Sequence, residues 1–449
     1  MVFDTHRPRG VEAQESGELM TLRDDYSGPF DADATLSDFS RQFLAKLGRE
    51  YLLNGHLQDR VGMPLVVKQC GPDQYARFAI EEWMAASPIY SKRMQRAMNF
   101  EGSEVGTVFK NLQLDIGAPP QFMDFQFRLD RPDYGEFWLA HCGALLDVEP
   151  FGEARVKVMC HEIEDPTFDA TAAATHPCMK MRPIHRPPRS PAGRFPACRW
   201  SIFIGDETEP YEQHPNLEIV EGSRIAQTEI VVPESDGERG GWADYSGPFD
   251  PGFQLEDLSH RALNVVAQEA AVQSHLLSRA FMLCADQRAG SKIARSLGDS
   301  QWIGIAALTA ERLRNLLGIV DDGIESIAKI FQLHPCFHPR SYVDFRVEVV
   351  EPEIARIEIG DCPAFEEGDA HSWFAGLSSA DHPALDAIAG AVNPHARCRA
   401  LIDPGNARFA WEIVIDRSSE PQPVPQELKL AKLSRGATFQ FEQRRLLRN

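Results

Sequence analysis

The chain has 449 residues, with 46 lysines and arginines against 66 aspartates and glutamates and a formal net charge of −20. That balance argues against nucleic acid or an anionic membrane as a main partner, since both require clustered cations. No apolar run approaches the roughly 20 residues of a membrane span, and Met1-Val2-Phe3-Asp4-Thr5-His6-Arg7 lacks the apolar core of a secretory signal. Nine scattered cysteines, an odd number, do not form a disulfide framework and read as cytoplasmic thiols.

Residues 1–20 are polar and aperiodic and read as a flexible tail. Asp25-Tyr26-Ser27-Gly28-Pro29-Phe30-Asp31 then occurs again, residue for residue, as Asp244-Tyr245-Ser246-Gly247-Pro248-Phe249-Asp250. The same displacement of 219 positions relates His56 to His275, Trp83 to Trp302, Arg93 to Arg312 and Gln113-Leu114 to Gln332-Leu333. After one inserted residue, Asp124-Phe125 meets Asp344-Phe345 and Cys142 meets Cys362. A period this long is no solenoid. The chain reads as a tandem duplication of one domain, with repeats at 21–232 and 243–416, a Gly-rich linker at 233–242 and a C-terminal tail at 417–449 that ends basic and could dock or swap.

The repeated turn is stopped by its Gly-Pro pair and reads as a docked lead-in to each copy. Thr35 and Asp38 fit a capping box before a first helix, with Phe39, Phe43, Leu47 and Tyr51 at spacing four on its buried face. A second helix covers Tyr75 to about Ala86 and is expected to stop before Pro88. In the second copy Leu308–Leu317 and Ile324–Phe331 read as helices. The period then changes to two: Phe125–Leu129 and Phe345–Val349 alternate as half-buried strands, with partners at Phe137–Ala140 and Ala355–Ile359. Asp165-Pro166 reads as an N-cap and first-turn proline opening a short helix, as does His382-Pro383. Strands follow at Met179–His185 and Arg199–Ile204, matched by Arg397–Ile402 and Ala410–Ile415. Each copy is therefore expected to be α+β, an N-terminal helical part followed by a four-strand antiparallel sheet with an inserted helix.

No phosphate loop, dinucleotide fingerprint, nucleophile elbow or His-Glu-x-x-His motif is present. The first copy concentrates His141-Cys142, Cys160-His161-Glu162, Glu164, His176, Cys178, His185 and Cys198. Cys and His at this density raise a zinc reading through Cys142, Cys160 and His161, although the spacings match no Cys-x-x-Cys site. The second copy lacks most of the cluster: Ser378 falls at His161, Asn393 at His176 and Ile402 at His185. If there is one working site, the first copy is its expected host, with the second copy and the interface between copies as the alternatives. His56 with Trp83, and His275 with Trp302, could receive a phenolic group, the imidazole serving as acid or base. Arg182 and Arg399, equivalent in the third strand of each sheet, could clamp a carboxylate through two hydrogen bonds if they face inward.

The run Cys160-His161-Glu162-Ile163-Glu164-Asp165-Pro166-Thr167-Phe168, with the Asp-Tyr-Ser-Gly-Pro-Phe-Asp turn and the His176-Pro177 helix end, resembles a group of uncharacterised bacterial proteins that carry one copy. That group is distantly similar to L-2-amino-thiazoline-4-carboxylate hydrolase-like domains and to vinyl-reductase-type small-molecule-binding domains. The first likeness implies hydrolysis of a small carboxylate, and the second a pocket for aromatic or phenolic ligands, sometimes beside zinc. The expected protein is a cytoplasmic, cofactor-independent lyase that acts on a small aromatic or phenolic acid by C–C lysis or decarboxylation. His161 or His56 would transfer the proton, Glu164 would orient it, Arg182 would hold the carboxylate, and Trp83, His275, Trp302 and Arg399 would contact substrate. Zinc-assisted hydrolysis of a C–N ring or amide bond, and phenolic binding without turnover, are the alternatives. A small-molecule carboxylate, no nucleic acid, no membrane and a homodimer complete the expected partners.

Overall fold

Thr35 and Asp38 do form a reciprocal cap, but around a single 3₁₀ turn, Leu36–Asp38. The first long helix begins after it, where the Ser40 hydroxyl accepts the Phe43 N–H. The computed structural model describes residues 22–205, 209–234 and 236–444, so the expected 1–20 tail and the last five residues lie outside the described part. The first half holds helices α1 (Arg41–Cys70), α2 (Tyr75–Ala97) and α3 (Val105–Leu112), then strands β1 (Met123–Arg131) and β2 (Tyr134–Cys142). Helices α4 (Gly143–Val148), α5 (Glu153–Lys157) and α6 (Glu164–Ala173) come next, followed by strands β3 (Met179–His185) and β4 (Arg199–Ile204) and short helices α7 (Pro215–Glu221) and α8 (Arg224–Gln227).

The second half holds α9 (His260–Ala289), α10 (Ser291–Leu316) and α11 (Ile324–Gln332), then β5 (Phe345–Glu351) and β6 (Ile354–Ile359). Helix α12 (Pro383–Val392) precedes β7 (Ala396–Ala400), β8 (Phe409–Ile415) and α13 (Gln426–Ala431). The fold is α+β with two four-stranded antiparallel sheets, ordered β1-β2-β4-β3 and β5-β6-β8-β7. No helix among the described residues is long and apolar enough to cross a membrane.

Two expected helix ends are overturned. α2 runs through Pro88 to Ala97. A proline inside a helix costs about 3 kcal/mol through its missing donor and its clash with the preceding turn. Beyond it, however, Ile89, Tyr90 and Met94 are all buried, at about 1.5–3 kcal/mol each. Burial wins, and the extra turns bring Tyr90 and Arg93 to the positions they occupy below. Asp165-Pro166 opens nothing either. The chain is already helical from Glu153, passes through a π-helical segment at Val158–Ile163 and continues directly as α6. Pro166 lacks the donor that would bond the carbonyl four residues back. The Thr167 hydroxyl instead donates to the Ile163 and Glu164 carbonyls, at 2.8 and 3.2 Å. His382 does cap α12, accepting the Ala384 N–H.

The halves do not keep separate cores. Buried apolar side chains from both belong to one contiguous cluster, with α1 packed on α9 and α10, and α2 on α9. α6 lies against α2 and β3, and α12 lies correspondingly against α10 and β7. The repeated turn of each half docks on the other half. Tyr26 donates from its hydroxyl to Gln332 Oε1, and Tyr245 to Gln113 Oε1, both at 2.8 Å. Lys329 Nζ reaches the Gly28 carbonyl as Lys110 Nζ reaches that of Gly247. Between the long helices, Arg93 forms a two-armed pair with Glu269, and Arg312 with Glu50. Each contact has its mirror, as in an isologous interface. The segment after β8 crosses back to the first half, where Asp147 accepts from Ser434 and Arg435, and Asp124 pairs with Arg444.

Candidate functional site

Under β1, between α1, α2 and the α4–α6 run, the first half holds a cavity of about 110 Å³ that opens to solvent. α1 contributes His56, Asp59 and Arg60, one helical turn apart, and α2 contributes Tyr75, Ala79, Trp83 and Tyr90. The loop after α3 adds Asp115 and Gly117, and β1 adds Met123 and Phe125. The opposite wall is Ala144, Met159, Ile163, Glu164, Thr167, Phe168 and Thr171. That wall carries its own small apolar cluster of Leu145, Val148, Val156, Cys160 and Ala197, separate from the main core. It is a cap, pinned to the 186–198 loop by Arg189–Glu149 and Arg186–Asp165 ion pairs. The π-helical segment lies in this cap, and its irregular register brings Ile163 and Glu164 to the cavity; such bulges concentrate at functional sites.

Three carboxyls, Asp59, Asp115 and Glu164, stand in the polar lining. Desolvation pushes the Glu164 carboxyl up to about 8, with Asp165 adding to the rise and Arg186 opposing it. Desolvation likewise raises Asp115 to about 7, against hydrogen bonds from Gly117 N–H and the Tyr90 hydroxyl. Behind the wall Glu82, fully buried, shares a hydrogen bond with Asp59, which also accepts Trp83 Nε1 at 2.9 Å. Burial and the Asp59 charge raise Glu82 well above the ordinary carboxylate range, the direction in which two adjacent carboxyls come to share a proton. Arg60 donates to Asp147 at 2.9 Å and to His56 Nε2 at 3.0 Å. A guanidinium has no acceptor, so Nε2 is the acceptor and the neutral ring carries its proton on Nδ1. Burial and Arg60 together hold His56 well below its usual value.

The remaining expected site residues lie elsewhere. His161 donates through Nε2 to the Pro187 carbonyl at 2.6 Å, tying the cap to the 186–198 loop instead of facing the cavity. Arg182 points outward, 47% exposed, and pairs with Asp169. Arg399 pairs with Asp381 in the same outward fashion. Neither can clamp a ligand in the cavity, because their strand positions face solvent. Cys142, Cys160 and Cys198 cluster near Glu164, and burial pushes all three thiols up, Cys198 to about 12. Among the described residues, no three His, Cys, Asp or Glu side chains are placed to hold a metal ion.

His275 and Trp302 occupy the second half's equivalent place, where Trp373 and Phe374 pack against both. His275 donates to the His338 carbonyl at 3.0 Å, and burial lowers it to about 4. The acidic set is gone: Ser278 stands at Asp59, Gln301 at Glu82, Thr309 at Tyr90 and His334 at Asp115. Asp381, at Glu164's place in the register that pairs Asp169 with Asp386, is exposed. Reading the sequence for His and Cys missed Asp59, Arg60, Glu82, Tyr90 and Asp115. The signal was available in the exchange of charged for neutral side chains between matched positions of the two halves.

Two of the larger clefts, of about 500 and 890 Å³, lie along the contact between halves. Their buried charges are already paired, as Arg49–Glu256 and Arg312–Glu50 in one and Arg93–Glu269 in the other. The 110 Å³ cavity is different because its titratable groups face a space. Fold and site together define an α+β protein with an acidic-aromatic cavity in its first half. No family model, curated protein or solved structure matches the chain.

Proposed function

We propose that the cavity of the first half is the active site of a cofactor-independent enzyme that protonates a small substrate, with Glu164 as the general acid. The observation that carries this is the Glu164 carboxyl, held protonated to about pH 8 inside the cavity. A carboxylic acid kept neutral at physiological pH by burial is how one side chain becomes a proton donor. The cavity, about 110 Å³, is smaller than the roughly 150 Å³ that takes benzene. It opens to solvent, however, so a single ring can enter with one edge toward the mouth.

Decarboxylation of a small aromatic or phenolic acid fits these groups. Arg60, the one cation lining the cavity among the described residues, replaces Arg182 as the partner of the substrate carboxylate. The C–C bond to the carboxylate breaks, the electron pair passes into the conjugated system and CO₂ leaves. Glu164 delivers its proton to carbon and regains one from solvent. His56 fixes Arg60, and Asp115 with Tyr90 orients a ring hydroxyl. The Asp59–Glu82 carboxyl pair favours a second reading, hydrolysis of a C–N ring bond by an activated water.

The two halves descend, on this proposal, from a tandem duplication of a unit that once paired with itself. The mirrored contacts support this, and so does the shared sheet order. One copy kept the chemistry.

A panel of single-ring acids assayed for CO₂ release tests the reaction. The expected result is turnover that falls by about 10²–10⁴ in Glu164→Gln and declines above pH 8 in the wild type, while Arg182→Ala and His161→Ala change kcat little. Turnover unchanged in Glu164→Gln contradicts the role of that residue. Ring-opened acids and amines in place of CO₂ select hydrolysis.

A further inference from the structure

The second half shows what the cavity of the first is shaped to hold. There the stretch between β6 and α12 forms two short 3₁₀ turns, Pro363–Phe365 and Trp373–Gly376, in place of α-helices; it folds inward and buries Trp373 and Phe374. Trp373 lies parallel to Trp302, ring centres 5.9 Å apart and planes 1° apart, and 6.0 Å from the His275 ring. Phe374 is 5.6 Å from Trp302 and 5.9 Å from His275. Arg279, at the position of Arg60, holds this stretch through Glu367 at 3.3 Å and through Asp369.

In the first half the equivalent His56 and Trp83 border the cavity, and among the described residues no aromatic ring lies against Trp83. The backbone at Gly117 passes so close that a β-carbon there would lie 3.2 Å from Trp83 Cζ3. Cys336, the counterpart of Gly117, carries its thiol against Trp302 in the second half. Gly117 thus leaves the indole bare where the other copy covers it.

We infer that Trp373 and Phe374 take, in the second half, the place a ligand takes in the first, and that this ligand is one flat aromatic ring lying on Trp83 beside His56. The inference rests on the reading of the cavity as a ligand site. It adds the ligand's class and its pose, and it makes the second half a self-filled copy of the same site. Aromatic rings favour offset-parallel and edge contacts, and both occur around Trp302. A ring on Trp83 turns its substituents toward Glu164 and Asp115 on the surrounding walls.

Calorimetric titration with phenol and with cyclohexanol, equal in hydroxyl and in carbon count, tests this on the full-length protein. Phenol is expected to bind one site in the wild type and cyclohexanol about tenfold more weakly. Trp83→Leu is expected to erase the difference. Trp373→Ala is expected to open a second phenol site; where that variant does not fold by circular dichroism, Phe374→Leu supplies the same readout. Cyclohexanol binding as tightly as phenol in the wild type overturns the ring-on-indole pose. A folded Trp373→Ala protein with a single phenol site overturns the self-filled copy. Binding of neither compound overturns the ligand-site reading itself, which separates its failure from that of this inference.

Discussion

Replacing Arg93 by alanine is expected to destabilise the protein by about 3–5 kcal/mol, because it strands a buried carboxylate. Arg93 and Glu269 are 9% and 3% exposed, they meet through two hydrogen bonds of 3.0 and 2.7 Å, and Arg93 also donates to the Ala226 carbonyl at 2.9 Å. Even with the guanidinium beside it, burial raises the Glu269 carboxyl above its ordinary value. Desolvation therefore outweighs the Coulombic gain. The pair itself adds little net stability, but either member alone is costly. Arg312→Ala should cost a similar amount, since Arg312 serves Glu50 and the Gly436 and Ala437 carbonyls in the mirrored arrangement. Joint replacement of Arg93 by Met and Glu269 by Leu should recover most of the loss. Urea denaturation measures all three. A loss below about 1 kcal/mol for Arg93→Ala, the range of an exposed pair, contradicts the packing described between the halves.

Glu164→Gln is expected to stabilise the protein at pH 8 while removing a pH dependence that the wild type shows. The ordinary Glu value is 4.5 and the folded one about 8. Between these the folded protein holds a proton that the unfolded chain has released, so folding takes up a proton. Stability from this group is full below about pH 4.5 and is lost as pH rises to about 8, with a slope approaching 1.4 kcal/mol per pH unit. Asp115 contributes in the same direction over a lower window, from 3.8 to about 7. Other carboxylates act oppositely, Asp369 among them, whose value falls to about 2 through its hydrogen bonds to His371 and the nearby Arg279 charge. The informative quantity is thus the difference between wild type and Glu164→Gln across pH 5 to 8. Parallel stability curves for the two proteins would contradict a raised Glu164.

Much of the secondary structure was legible because it is written in local pattern. The strands at Met179–His185 and Arg199–Ile204 fall where alternation puts them, and the His382 cap is read directly from His-Pro before an apolar run. The errors sit where tertiary packing overrides a local stop signal. Pro88 ends a helix in isolation, yet here the burial of Ile89, Tyr90 and Met94 carries α2 past it. Pro166 suggests a helix start, yet it follows a π-helical stretch whose periodicity no apolar pattern reveals.

The site was legible in part. His56, Trp83 and Glu164 do meet around one cavity, as did not His161, Arg182 or Arg399. A strand alternates its faces, and for Arg182 the sequence left the direction open; the Asp169 carboxylate on the solvent side decides it. Asp59, Glu82 and Asp115 were passed over because single acids on apolar helix faces carry no motif. Their replacement by Ser278, Gln301 and His334 in the other copy is the stronger mark. The cap that shields them has its own small core and no counterpart in the second half, where Trp373 and Phe374 fill the space.

The most direct measurement is the protonation of Glu164 in the folded protein, by infrared difference spectroscopy of wild type against Glu164→Gln at pH 7. The expected result is a protonated carboxyl band in the wild type that is missing from the variant and disappears as the pH passes about 8. A Glu164 signal that is already carboxylate at pH 6 would contradict a proton donor in the cavity of the first half.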